Sequence, residues 1–370
     1  LLACGSFLVI AVGANRQDPR AGVESRSSGT GGFAFWGETT LPLLHDLNTD
    51  EGCNFFGLSR ADIARLDVVA MRLREGDEAS CLNLNRAQKP KIIGVDPTEL
   101  AGRGAFQFTD VLSGDASPES AWTLLNQSLE DGAVPAVADQ ATVMWALGKS
   151  LGDYIEYQDD HGKTVRLQLV GALSNSIFQG HLIIADKTFV ERFSSVSGYR
   201  LLLMDAPAPR RTEYRDLLLN ALQDIGLEIT PTGERLAAFY AVENTYLSIF
   251  QILGGLGLIL GCFGLGVVVM RNILERQAEL ALLKALGFSK GAVQWMVIME
   301  HSFLLFLGLL CGVFAGFTAI APAMQSRMEV LPIASLGILL CVMIASGLIW
   351  IFGATRMAAR KDLINALRSE

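Results

Sequence analysis

"RNILERQAELALLKALGFSK", residues 271–290, is a strongly helical, mixed-charge run set between two apolar stretches. It is long enough for about five helical turns. Arg271 and Glu275 stand at i and i+4, and Leu280, Leu283 and Leu286 make an apolar stripe. Gly287 is placed to end the helix and Ser289 to cap the next one. A run of this kind can lie on a membrane surface, but that use favours an excess of bases. Here Glu275 and Glu279 alternate with Arg276 and Lys284, which suits a groove in another protein better.

The flanks set the fold class. Asn244–Met270, His301–Ser326 and Val330–Thr355 contain no Asp, Glu, Lys or Arg. Each exceeds the roughly 20 apolar residues of a bilayer-crossing helix, and none has the polar face of a soluble core helix. Composition agrees: of 370 residues 51% are hydrophobic and 18% charged, against about 25% charged in soluble domains. Mean hydropathy is +0.35. "LLACGSFLVIAVGA", residues 1–14, is also apolar before it gives way to "NRQDPR". It lacks the initiator Met and basic leader of a signal peptide and is short for a span, so it reads as the outer end of a truncated first helix. The expected fold class is a membrane protein: an α-helical transmembrane bundle of three complete helices plus a truncated first one, with an α+β extracytoplasmic domain.

Basic residues orient the spans. The 271–292 loop holds Arg271, Arg276, Lys284 and Lys290, and the tail after Thr355 holds Arg356, Arg360, Lys361 and Arg368. The loop Ala321–Pro332 has only Arg327, so it is expected outside and the other two in the cytoplasm. The expected domains are 1–14, the end of the first helix; 15–233, the extracytoplasmic domain; and 234–245, a stalk. Spans follow at 246–270, 293–320 and 333–354, with a cytoplasmic helix at 271–292, an outer loop at 321–332 and a cytoplasmic tail at 355–370. The expected protein is multi-pass and lies in the cell (inner) membrane.

Residues 15–243 keep 21 of the 30 basic and 32 of the 38 acidic residues, a net −11, as suits a domain outside. The whole chain at −8 argues against a nucleic-acid partner. "YIEYQ" and "KTVRLQLVGAL" around "DDHG" signal a hairpin, and "KIIGV", "HLIIA" and "YRLLLMDA" are further strands. Ser117 and Pro118 open an expected helix "PESAWTLLNQSLEDG"; "RTEYRDLLLNALQDIG" is a second, stopped at Gly226. "SRSSGTGG", 25–32, reads as a flexible loop. Cys4, Cys262, Cys311 and Cys341 lie in apolar spans, which leaves Cys53 and Cys81 as an even pair in an oxidising compartment, expected to form a disulfide.

Catalytic patterns are absent from the sequence. Gly148–Lys149–Ser150 and Gly162–Lys163–Thr164 mimic the end of a phosphate-binding loop, but Val143 and Tyr157 stand where its first glycine belongs. His45, His161, His181 and His301 have no metal-ligand spacing. No cofactor, metal site or catalytic residue is expected, and the chain does not read as an enzyme by itself. In the membrane part, Gly257 and Gly261, and Gly308, Gly312 and Gly316, recur every four residues, a spacing that lets helices approach closely. Glu300 either anchors at the interface or pairs inside the bundle; its shallow depth favours anchoring. "ERLAAFYAVENTYLSIFQIL", 234–253, has no Gly or Pro, so the stalk runs into the second span as one helix.

"RNILERQAELALLKALGFSKGAVQWMVIMEHSFLLFLGLLCGVFAG", 271–316, resembles the signature of the FtsX/MacB-type permeases of ABC transporters. The resemblance rests on Arg271, Glu275, Arg276, Glu279, Leu283, Lys284, Ala285, Leu286, Gly287 and Glu300. "INALRSE" is similar to the family's C-terminal box, although Leu363 stands where a proline is usual; "VPAVADQA" and "SIFQG" resemble MacB-like periplasmic core domains. The resemblance implies a coupling helix within 271–287 that docks on a separate cytoplasmic ABC ATPase. The residues implied there are Glu275, Arg276, Glu279, Leu283, Lys284, Leu286 and Gly287. It further implies a dimer with a second permease copy or homologue, and contact with membrane lipid. Two functions fit: a permease for export or extraction, or a mechanotransmitting regulator of an extracytoplasmic protein partner such as a cell-wall hydrolase. A receptor without ATP coupling is a third reading. The large outer domain favours the permease.

Overall fold

The computed structural model describes residues 2–15, 22–77, 89–129, 131–326 and 333–360. The chain divides into two compact units, Asp18–Val242 and Leu1–Gln17 with Glu243–Glu370.

Alternating and continuous apolar runs make the first unit a sheet domain. In chain order its strands are β1 (Phe35–Leu43), β2 (Asp67–Arg74), β3 (Lys91–Val95), β4 (Phe108–Val111) and β5 (Val134–Asp139). They continue with β6 (Tyr154–Gln158), β7 (Thr164–Leu173), β8 (His181–Ala185), β9 (Tyr199–Asp205) and β10 (Leu227–Pro231). The helices of the chain are α1 (Leu2–Asn15), α2 (Asp50–Phe55), α3 (Pro97–Arg103), α4 (Pro118–Ala121) and α5 (Asp186–Arg192). Then come α6 (Arg211–Ala221), α7 (Thr232–Glu275), α8 (Gln277–Ala285), α9 (Lys290–Ser326) and α10 (Ile333–Arg360).

The strands lie in the order β10-β1-β9-β2-β3-β8-β5-β7-β4, with β6 beside β7. The β2 strand joins the two halves of this order. Asp67–Met71 pairs with β9, and Arg72–Arg74 pairs with β3. Pairing is antiparallel except for β3 with β8 and β5 with β7. One core holds Trp36, Phe106, Trp122 and Phe178, and receives Leu236 and Tyr240 from the first turns of α7. A second core packs α6 on the β1–β9 side through Tyr214 and Leu218, and a third packs Phe189 and Phe193 of the α5 region on β7 and β8.

The hairpin and the five quoted strands are present, and Gly226 (φ +68) stops the segment begun by α6, whose α-helical part ends at Ala221 and gives way to a 3-10 turn over Gln223–Ile225. Three expectations are corrected. The helix expected over 118–132 is only the four residues of α4 followed by a 3-10 turn over Trp122–Asn126. Trp122 is fully buried and its indole N–H donates to the Ala105 carbonyl at 2.8 Å, which draws the chain off a helical path. Residues 25–32 form an ordered turn: the Thr30 hydroxyl, buried, donates to the Val23 carbonyl at 2.6 Å, and Ser28 donates to Ser25. Cys53 is a free thiol, 1% exposed, whose S–H donates to the Leu47 carbonyl at 3.2 Å. The expected disulfide is therefore not made at this end, because the sulfur packs inward under α2; Cys81 lies outside the described residues.

A buried carboxylate fixes the loop after β7. Asp139, at the end of β5 and fully buried, accepts from the Ser176 N–H and hydroxyl and from the Ala141 N–H at 2.9 Å. Loss of hydration pushes its carboxyl up from 3.8 to about 6, against these hydrogen bonds. The folded chain therefore holds this proton more tightly than the unfolded chain. The Asp139 contribution to stability rises as pH falls from about 6 to about 4 and is lost above about 6. Thermal unfolding of the whole chain in detergent, compared with Asp139→Asn, is expected to show the gap between the two changing across that window. A gap that stays constant with pH would remove Asp139 as its source.

In the second unit, Asn244–Glu275 and Lys290–Ala319 are long and apolar enough to cross a membrane, and Leu340–Arg356 is a shorter apolar stretch. Backbone groups in such helices are satisfied internally, as lipid requires.

Candidate functional site: the hairpin from Arg271 to His301

After Gly266 no Gly or Pro interrupts the chain, and α7 continues as far as Glu275. At Arg276 the backbone turns to φ −97 and ψ 16, and the nine-residue α8 begins. Hydrogen bonding crosses the bend: the Arg276 N–H donates to the Asn272 carbonyl at 3.1 Å and the Leu280 N–H to the Arg276 carbonyl at 3.0 Å. The single helix expected over 271–287 is thus corrected to two pieces joined at Arg276. The C-terminal signal is as read. Gly287 takes φ +98, its N–H donates to the Lys284 carbonyl, and the Phe288 N–H donates to the Leu283 carbonyl, the paired bonds of a Schellman cap. Ser289 Oγ accepts from the Ala292 N–H at 3.2 Å and opens α9.

The apolar side chains divide between two jobs. Leu280 is 4% exposed and packs with Ile273, Val293 and Val297; Leu283 is partly buried against the same cluster. Leu286, Leu282 and Phe288 are 69%, 62% and 56% exposed. The expected stripe of three leucines is therefore split. At about 100° per residue, two steps of three carry Leu286 about 120° round the helix from Leu280, out of the buried sector. Leu282, which the stripe omitted, lies on the outward face instead. Lys284 is half-buried and lines a cavity of about 40 Å³ with Thr355 and Lys290.

Charged residues form a local pair and a three-way cluster. Arg271 Nε meets Glu275 Oε1 at 2.7 Å within α7. Arg276 Nε meets Glu279 Oε2 at 3.0 Å and its Nη1 meets Glu300 Oε2 at 3.1 Å. Glu300, for which the sequence leaves anchoring and pairing both open, is paired with Arg276 while its side chain stays 43% exposed. One residue on, His301 is buried; its Nδ1 donates to the Val297 carbonyl at 2.9 Å, and Asn272 Nδ2 lies 3.4 Å from its Nε2.

The glycine series is used unevenly. A Cβ on Gly312 would collide with Ser6 and Ala3 of α1, whereas one on Gly257 or Gly308 would meet nothing within 4 Å. Gly261 and Gly316 are buried. Close contacts that the four-residue spacing did not reveal fall at Gly5 against Leu258, Gly266 against Trp350 and Gly347 against Leu305. Among the described residues, no three His, Cys, Asp or Glu side chains gather as a metal site. Gly148–Lys149–Ser150 follows a π turn over Thr142–Ala146, and Gly162–Lys163–Thr164 lies in the β6–β7 turn, so neither opens a helix onto a phosphate.

The division of the leucines predicts opposite outcomes for truncation. Leu280→Ala is expected to cost about 2–5 kcal/mol as a cavity mutation, and Leu286→Ala no more than about 0.5 kcal/mol. Unfolding of the purified chain in detergent measures both; equal losses would mean that the two side chains share one environment.

Comparison with known proteins bears on this same region. Residues 251–363 match the family model described as FtsX-like permease C-terminal. No curated protein matches the chain. Among solved structures, the periplasmic region of MacB from Actinobacillus actinomycetemcomitans is similar at 10% identity and TM-score 0.31, over 62% of this chain and 99% of that one. The extracellular domain of the noncanonic ABC-type transporter YknZ from Gram-positive bacteria is similar at 10% identity and TM-score 0.27, over 52% of this chain and 99% of that one. The hairpin lies inside the matched stretch, so it is this part of the chain that is similar to an FtsX-like permease C-terminal domain.

Proposed function

We propose that this chain is the permease subunit of an ABC transporter, coupling cytoplasmic ATP hydrolysis to movement of its extracytoplasmic domain for export or extraction of a substrate. The observation that carries this reading is the apolar patch of Leu282, Leu286 and Phe288 on α8 and its cap. It lies inside the stretch that matches the permease family. Apolar side chains held outward by a capped helix suit a groove on a separate cytoplasmic ABC ATPase. Two permease copies, each offering one such patch, would engage two ATPases. The helices containing Asn244–Glu275 and Lys290–Ala319 would hold the patch at the membrane, with α10 as a further span and α1 beside α9.

The test is copurification of the ATPase from membranes. Leu286→Asp, which places a charge in the contact without disturbing the bundle core, is expected to reduce ATPase capture by about thirtyfold or more, the equivalent of a lost anchor of about 2 kcal/mol. Full capture and full transport in that variant would leave α8 as a connector and end the coupling reading.

A second reading, a mechanotransmitting regulator of an extracytoplasmic protein partner, is favoured by α7. Its 44 residues form one helix whose first turns bury Leu236 and Tyr240 in the sheet domain's core. Such a helix could pass displacement along its axis. Inserting Gly-Gly after Val242 is expected to abolish transport or activation while ATPase capture persists; undiminished function in that insertion would rule out transmission through α7.

A further inference from the structure

We propose that Arg276 is a positioning residue, whose guanidinium fastens the α7–α8 bend to α9 through Glu279 and Glu300 so that a push on α8 moves α9. The inference rests on the coupling reading of α8 given above, and it removes Arg276 and its partner Glu279 from the surface that touches the ATPase.

Three observations support it. The first is placement: Arg276 occupies the one position where the backbone leaves α7 for α8, so its side chain starts from the bend itself. The second is reach. Its Nε takes a carboxylate of α8 and its Nη1 takes one of α9, so one planar fork spans three elements. By contrast, Arg271 pairs with Glu275 inside α7 and joins nothing to anything else. The third is the company it keeps. Asn272 lies one turn back on α7 and approaches His301 on α9 at 3.4 Å, which makes a second polar tie between the same two helices. Leu280 packs with Val293 and Val297 in the apolar cluster that holds α8 to α9. The patch of Leu282, Leu286 and Phe288 takes no part in these ties and stays exposed.

The chemistry of the cluster explains why an arginine is needed. Glu279 and Glu300 both face the same guanidinium, so removing it would leave two carboxylates close together with their common counter-charge gone. Isolated surface ion pairs add little to stability. A fork shared by two helices acts instead on where α8 sits relative to α9.

The experiment uses the full chain with its cytoplasmic ATPase in membranes. The variants are Arg276→Glu, the reversed cluster Arg276→Glu/Glu279→Arg/Glu300→Arg, and Arg276→Lys. ATPase capture, stimulation of ATP hydrolysis and the unfolding midpoint of the permease alone are measured. Arg276→Glu is expected to lower stimulation about fivefold and to lower the midpoint. The reversed cluster is expected to restore both to within about twofold, because it rebuilds the same three-way pairing with opposite signs. Arg276→Lys, a point charge without a fork, should fall between. If the reversed cluster stays as impaired as Arg276→Glu while the wild type binds ATPase, Arg276 contacts the ATPase directly and the proposal is overturned. Full stimulation in Arg276→Glu overturns it as well. If the wild type captures no ATPase, the coupling reading has failed on its own account. The midpoint then decides the fastening: restoration by the reversed cluster upholds it, and none overturns it.

Discussion

The structure depends on how the first turns of α7 are held. Thr232 donates its hydroxyl to the Phe33 carbonyl, and Arg235 lies 4.0 Å over the Trp36 ring while its Nε donates to the Ile177 carbonyl at 3.2 Å. Leu236 and Tyr240 fill the core beside them, and the Tyr240 hydroxyl approaches the Asn175 carbonyl at 3.5 Å. The loop that receives these contacts is fixed from its other side by Asp139 through Ser176. A cation stacked on a desolvated indole is worth about 2 kcal/mol, and the hydrogen bonds add direction to that attraction. A helix that only touched the sheet could slip along it. One whose side chains are built into the core has a fixed register.

At the other end of α7 the constraint is a competition for apolar side chains. A nine-residue helix cannot hold its place in water by propensity alone, so part of its apolar surface must be buried in its own chain. Leu280, and in part Leu283, meet that need. Whatever remains is free for a partner, and helical geometry assigns that remainder to Leu282, Leu286 and Phe288. The Schellman cap keeps Leu286 and Phe288 from fraying back toward the bundle.

Long-range order was the part least legible in the sequence. Charge-free spans, the β6–β7 hairpin and the Gly287 cap could be read because each is a local pattern of composition or φ preference. The strand β1, "FWGETTLPL", carries Gly and Pro and alternates poorly, so its place in the sheet between β10 and β9 could not be seen. The early end of α4 depends on Trp122 finding a carbonyl 17 residues away. The pairing of Arg276 at the bend joins it to Glu300, 24 residues on. Pairing the two cysteines by compartment took no account of how well the Leu47 carbonyl satisfies Cys53. The glycine spacing named Gly312 correctly as a point of close approach, but Gly5 and Gly347 needed the identity of the opposing leucine.

The strand order also sets when the sheet domain can finish folding. β1 lies between β9 and β10, so both of its neighbours are made more than 150 residues after it, as the 161-residue separation of Thr39 and Arg200 shows. Pairings so distant in sequence are slow to form, since the loop entropy is lost before any contact compensates for it. Until Leu227–Pro231 is available, β1 has an open edge, and unpaired edges invite association with other chains. Pro231 is followed directly by α7, so the last strand and the first turns of that helix are made almost together. During synthesis, closure of the sheet domain is therefore tied to the arrival of the helix that its core must also hold.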